Sequence, residues 1–341
     1  AGADRRLQRR ILFRDRSLEG LYWLLDQYVG RPLVNLYRII PMIRMVGAKA
    51  RRDCGVPIRR QIRDLVHLIL YHQAKPWLYY VLELYRDGAM AEAGAFVMRN
   101  EVKHGLFKAL NRIDPDAKDR ARKLGDKVDV SRWCQENDIP HPHPILLAER
   151  SERDQLMVMP LLRNHPGLAD FADQSLVVFR LITCLDETLR PVLTNAYLRT
   201  VIKFEPGWNV GRLDDFGAPI DLETGALGLI TGDKPECLSE RFERHPVTGA
   251  RVVGRIVPCW PALAALAVKA HGIVPERVII GWDMAITPDG PVLLEGNSFF
   301  DAIFPQRIFG EPIGRMRLGE LLDFHLGRLE AKLDDPNWRY P

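Results

Sequence analysis

An α+β architecture, with a helical N-terminal region ahead of a mixed core, is what this sequence predicts, on three observations. Apolar residues recur at three- and four-residue steps up to about residue 112, as in "LVHLILYH" (65–72) and "KPWLYYVLELYRDG" (75–88). From Asp126 the texture changes to short β-like runs punctuated by proline and glycine. Near the C-terminus, "RVIIGWDMAITPDGPVLLEGNSFFD" (277–301) reads as two apolar runs joined by a turn.

Residues 1–115 are expected to form the helical, basic region, 116–330 the core and 331–341 a C-terminal tail. In the core, "KVDVSRWCQENDIPHPHP" (127–144) predicts a helix running into a proline-punctuated extended segment. The runs "LMVMPLL", "VVFRLITCL", "LRPVLTNAYLRTV" and "APIDLETGALGLI" predict strands, and "WPALAALAVKAHGIV" (260–274) a helix before the final hairpin. Strand pairs interleaved with helices argue for an α+β core behind the helical region.

The 341-residue chain is 47% hydrophobic and 27% charged, an ordinary globular composition with length for about two domains. No run of about 18 uncharged apolar residues occurs and no signal peptide stands at the start, so a soluble cytoplasmic protein is expected, with no membrane span. Cysteines 54, 134, 184, 237 and 259 form no CxxC and no zinc spacing, and their odd number argues against a disulfide framework. Net charge is +4, yet residues 1–63 hold 15 Arg and Lys against 5 Asp and Glu. That asymmetry suits a solvated helical face or an acidic partner docking on the basic helices. Zinc-finger, RNP-type and KH-like motifs are lacking, which argues against nucleic acid. A homo-oligomer is left open.

The hairpin raises the chemical question. Asp283 stands among Ile279, Ile280, Trp282 and Met284, and a buried carboxylate is costly unless paired or bound to a cation. Glu295 and Asn297, two apart on the second strand, share a face. Three oxygen donors from adjoining strands suit Mg²⁺, with Mn²⁺ an alternative. On spacing alone, a hairpin whose polar face meets solvent fits equally well.

"GWDMAITPDGPVLLEGN" resembles the C-terminal signature of the ATP-grasp superfamily. More closely, the chain from about residue 60 to 306 resembles the sugar-transfer-associated, glutamate-ligase-like ATP-grasp family. It does so through "KPWLYYVLELY", "LGDKVDVSRWCQENDIPHPHP", "LLRNHPGLADF", "VVFRLITCLDETLRPV", "APIDLETGALG" and "HPVTGARVVG" in that order. The resemblance implies an ATP-grasp fold in which Asp283, Glu295 and Asn297 hold the magnesium that bridges ATP phosphates. It implies that Lys127 reaches those phosphates and that the segment "MVMPLL" (157–162), with Met159, Pro160, Leu161 and Leu162, lies along adenine through its backbone. Relatives carry a glutamine and an arginine where this chain has Met159 and Leu161. Arg180 is implied at the triphosphate or acyl phosphate and Arg199 at the acid substrate or γ-phosphate. Both are alternatively edge-strand ion pairs. Asn209 matches an asparagine near the acceptor, although the Gly-Gly pair that usually follows is replaced by Leu213-Asp214-Asp215. His165 and His245 read as turn-forming histidines.

One part departs from the family. A glycine-rich lid bearing a second lysine belongs between "HPHPILLAE" and "LMVMP", where only "RSERDQ" (150–155) stands. Three explanations compete: a lid segment left out of the sequence as read, a true deletion, or loss of catalysis. The first is favoured here, since lids are mobile. The implied activity is an ATP-dependent carboxylate–amine ligase acting on small-molecule acids and amines through an acyl phosphate, in biosynthesis or tailoring of a sugar, peptide or natural product. The alternative is a catalytically inactive nucleotide-binding or scaffolding protein.

Overall fold

The structure, a computed structural model, describes residues 25–98, 107–111, 124, 127–144, 146–151, 154–172, 175–201 and 215–334. Along the chain run short helical segments between Asp26 and Cys54, then helix α1 (Ile58–His72) and α2 (Lys127–Glu136). Strands β1 (Leu146–Ser151), β2 (Asp154–Val158), β3 (Val178–Leu185), β4 (Pro191–Val201), β5 (Asp215–Pro219) and β6 (Thr231–Gly232) follow. Helix α3 (Trp260–Gly272), strands β7 (Ile279–Thr287) and β8 (Gly290–Asn297), and helices α4 (Ile303–Phe309) and α5 (Arg317–Asp334) complete the described residues. Helices and an antiparallel sheet are segregated as the sequence predicts, and the fold is α+β.

Contacts group the chain into two units: residues 1–106, 232–240 and 301–331, and residues 107–231, 241–300 and 332–341. The linear division at 115 and 330 does not carry this return of the chain. Its cause is visible in the first unit, where Gln306 of α4 accepts from Val97 N–H and donates to Val97 O.

In the first unit, α1 buries Gln61, Asp64, Leu65, Leu68 and Ile69 on one face, at the three- and four-residue steps of a helix. Gln61 is fully buried. Its Nε2 donates to Gly47 O and Val56 O at 3.1 and 2.8 Å, and its Oε1 accepts from Tyr80 Oη. The 26–54 segment is therefore fixed against α1 by a satisfied amide, as a buried polar group requires. The helix expected through residue 88 ends instead at Val81. Glu83 takes a left-handed φ of 54° and turns its buried carboxylate onto Arg307. Tertiary ion pairing overrides the local helical periodicity there.

In the second unit, a six-stranded sheet has the order β6-β5-β4-β3-β7-β8. One face carries Phe179, Leu181, Ala196, Leu198, Trp282 and Met284 into a core shared with α3 and with Val130 and Trp133 of α2. Trp282 stacks on Trp133 with the ring planes 4° apart, and its Nε1 donates to Thr183 Oγ1 at 2.8 Å. Of the five cysteines none is in a disulfide. Among the described residues no helix is long and apolar enough to cross a membrane.

β1 and β2 form a separate antiparallel pair whose register runs from Leu146↔Val158 to Ser151↔Asp154. Only Glu152 and Arg153 connect them.

Beneath the sheet, His271 is completely buried; its Nε2 donates to Arg277 O and its Nδ1 accepts from Thr183 Oγ1. Burial pulls its pKa from 6.5 down to about 4, with the Arg277 carbonyl working the other way. The folded pKa lies below the unfolded one, so the stabilisation is complete above pH 6.5 and lost as pH falls toward 4. The expected loss is about 3 kcal/mol across that window. Burial lowers His141 and His245 as well, adding losses of the same sign. Urea midpoints measured against pH should show this slope, and His271→Gln should flatten it in part. An unchanged slope in the variant rejects the assignment.

Candidate active site on the open face of the sheet

The site is built by strand parity. β7 is buried at every residue except Asp283, which is half-buried. From the turn, β7 and β8 pair Thr287↔Gly290, Ala285↔Val292 and Met284↔Leu293. Continued unbroken, that register would set Asp283 opposite Leu294, and Glu295 and Asn297 would face the core. A β-bulge intervenes instead. Asp283 pairs with Glu295 and Gly281 with Asn297, which brings all three side chains to one face. Gly296, between them, faces the core, where a Cβ would come within 2.7 Å of the Trp282 ring.

On the other side of β7, Asp283 pairs with Arg180 of β3. Arg180 Nε and Nη2 donate to Asp283 Oδ1 and Oδ2 at 2.6 and 2.9 Å, a bidentate fork. Burial of Arg180 opposes its charge, but the Asp283 carboxylate outweighs that and holds the guanidinium pKa above its ordinary value. Asn297 Nδ2 donates to Asp283 Oδ2 at 3.3 Å. Glu295 is exposed, and no partner for it is described.

Across β3, Arg180 faces Tyr197 of β4, and Arg199, two residues on, lies on the same face. Arg199 donates through Nε to both oxygens of Asp215, at 2.8 Å each, and through Nη2 to Oδ2. The hydrogen bonds it donates to Asp215 hold the Arg199 pKa above its ordinary value, against the cost of burial. Both arginines are thus ion-paired, and on the interior strands of the sheet. Asp215, read in sequence as a substitute for a loop glycine, opens β5 and is buried. Sequence reasoning missed its pairing with Arg199 and the place of Tyr197. The Tyr197–Arg199 alternation within one strand was the available signal for the tyrosine.

The structure therefore brings together Asp283, Glu295, Asn297, Arg180 and Arg199. Lys127 is the first residue of α2, its side chain outside the described residues, as is the whole of Asn209. Met159, Pro160, Leu161 and Leu162 continue from β2 as an extended segment. Leu161 is 92% exposed and Met159 and Val158 are also exposed, an apolar edge of the kind that lines a purine. His165 Nδ1 accepts from Gly167 N, and His245 Nδ1 accepts from Val247 and Thr248 N, which suits turn-forming roles.

Among the described residues no cluster of three or more His, Cys, Asp or Glu is placed to hold a metal. Here the donor set is two carboxylates and an amide. It fits a hard divalent cation: Glu295 is uncommitted, and the Asp283 carboxylate, with about four lone-pair sites, keeps acceptor capacity beyond its fork to Arg180.

No curated protein matches the chain. A family model described as sugar-transfer associated ATP-grasp matches residues 120–315, more than half of its length, across β1 to β8 and the whole polar face. The chain belongs to the sugar-transfer associated ATP-grasp family.

Proposed function

We propose that this chain is an ATP-dependent carboxylate–amine ligase that joins a small-molecule acid to an amine by way of an acyl phosphate. Family membership supports ATP-dependent, ligase-type activity. The finer reading rests on one observation: the face shared by Asp283, Glu295, Asn297, Arg180 and Arg199, with two carboxylates already fixing two guanidinium groups.

A carboxylate and a polyphosphate repel each other, so the reaction needs neutralised charge and alignment more than a nucleophilic side chain. In this reading Asp283, Glu295 and Asn297 hold Mg²⁺, or Mn²⁺, which supplies Lewis-acid neutralisation of the phosphate charge. Arg180, held rigid by Asp283, turns its remaining N–H groups toward the transferring phosphoryl group. Arg199, oriented by Asp215, does the same for the substrate carboxylate. Fixing both cations before substrate arrives removes reorganisation from the reaction step. Lys127 adds a charge at the phosphates, and the 159–162 segment offers adenine an apolar surface with a backbone edge.

The test is ADP release by the full chain with Mg-ATP and panels of acids and amines. ADP should appear only when the right acid is present, and Glu295→Ala should reduce it by about a hundredfold or more, as for loss of a metal-site partner. A second reading, nucleotide binding without catalysis, is favoured by the two-residue connection between β1 and β2. It wins if nucleotide binds with magnesium and no acid ever stimulates turnover.

A further inference from the structure

The outer face of the N-terminal helical segment has a composition the ligase reading does not use. Leu33, Tyr37 and Ile40 follow one another at helical steps and are 62, 76 and 54% exposed, with Met45 beyond them. The opposite side of the same segment is inward, burying Asn35, Ile39, Val46 and Ala50. The buried Gln61 ties Gly47 of this segment to α1.

The polar residues among these apolar ones carry one sign of charge. Between residues 27 and 52 there are six Arg and Lys and no Asp or Glu, while at the two ends Arg31 pairs with Asp26 and Lys49 and Arg52 pair with Asp53. Arg38 and Arg44 lie on the outward side and make no ion pair among the described residues. Arg38 and Met45 also line an open groove of about 210 Å³ with Lys75 and Trp77. A soluble face normally intersperses both signs of charge and breaks up large apolar side chains.

We propose that this face docks, in the plane of the interface, on an anionic membrane surface. The apolar side chains enter the headgroup–acyl boundary, and the arginines reach outward to lipid phosphates on their apolar stems. Tyr37 and Trp77, each an apolar ring with a polar tip, suit that boundary. Charge selects the occupant: an apolar surface carrying unpaired arginines and no acid matches phosphate headgroups and would repel a second copy of itself. This attachment is peripheral and stands independently of the ligase reading.

The experiment is flotation of the full chain with vesicles of zwitterionic phosphatidylcholine, with and without phosphatidylglycerol. Binding is expected only with the anionic lipid and should weaken as salt rises. Arg38→Gln with Arg44→Gln should weaken it about fivefold per arginine, and so about twenty-five-fold for the pair. Leu33→Ser, Tyr37→Ser and Ile40→Ser together should weaken it about a hundredfold while leaving the thermal midpoint unchanged. Should that triple variant fail to fold, the arginine pair and the salt series still decide. Absence of binding to either vesicle overturns the proposal. So does a concentration-dependent dimer that the triple variant abolishes, which assigns the face to a second copy. Vesicle binding that polyglutamate displaces and the serine substitutions leave intact points to an acidic protein partner, and also overturns it.

Discussion

Asp283→Ala should cost about 3–5 kcal/mol of folding stability and eliminate ADP release in the same step. The stability loss comes from Arg180, whose side chain is 10% exposed and loses both acceptors of its fork. A cation left unpaired at that depth is what makes the single change severe. Arg180→Met in the same chain as Asp283→Leu removes both charges and should restore most of the stability, because an apolar pair of similar size carries no desolvation cost. Turnover should stay absent in the double variant, since the acceptor and the donor are both gone. Urea unfolding of the unchanged chain, Asp283→Leu, Arg180→Met and the double variant closes a double-mutant cycle, with a coupling of about 2 kcal/mol or more expected. Additive single effects would show that the pair is incidental. Restored turnover in the double variant would remove both residues from the site.

Glu83→Ala should produce a comparable loss in the other unit, about 3–5 kcal/mol, without any bearing on the chemistry. Arg307 is almost wholly buried, at 1% side-chain exposure, and Glu83 at 8% is its charge partner, while Arg86 approaches the same carboxylate from outside. The Val81 and Gly232 carbonyls lie at 3.4 and 3.3 Å from Arg307, too long to replace a carboxylate. The backbone gives a second handle. Glu83 sits at φ 54°, where glycine is free of the steric cost of about 1 kcal/mol that alanine keeps. Glu83→Gly should therefore be milder than Glu83→Ala by about that amount, and Glu83→Gln milder than either because it keeps an acceptor. Thermal midpoints of the three variants give the order. Equal losses for glycine and alanine would mean the left-handed conformation carries no strain.

The hairpin strands, their turn and the residue types of the polar face were legible because apolar alternation and the "TPDGP" turn are local signals. The face of Asp283 was not. Counting alternate residues back from the turn sets it against Leu294, and only the bulge, which no residue of "PVLLEGN" announces, brings Glu295 opposite. The ion pairs were hidden for another reason. Arg180 and Asp283 stand 103 residues apart and meet only through the pairing of β3 with β7. Asp215 was visible but seemed a loop residue, because its role depends on which strand lies beside β5. The helix past Val81 was misread because periodicity sees apolar spacing, and Glu83 answers to a cation more than two hundred positions away. For the lid, the sequence displayed only the shortage of residues, two between the paired strands.

The strand order separates the charges into two ribbons. β3, β4 and β5 carry both guanidinium groups, while β7 and β8 carry the oxygen donors around Asp283, and β3 against β7 is the seam between them. A slip of two residues along that seam would keep every apolar side chain on its proper face and lose nothing in backbone pairing. It would, however, set Arg180 against glycine or alanine and strand two charges in the interior. The electrostatic clasp thus discriminates among alignments that hydrophobicity treats as equal, and the polar face comes into being only when the two ribbons find each other.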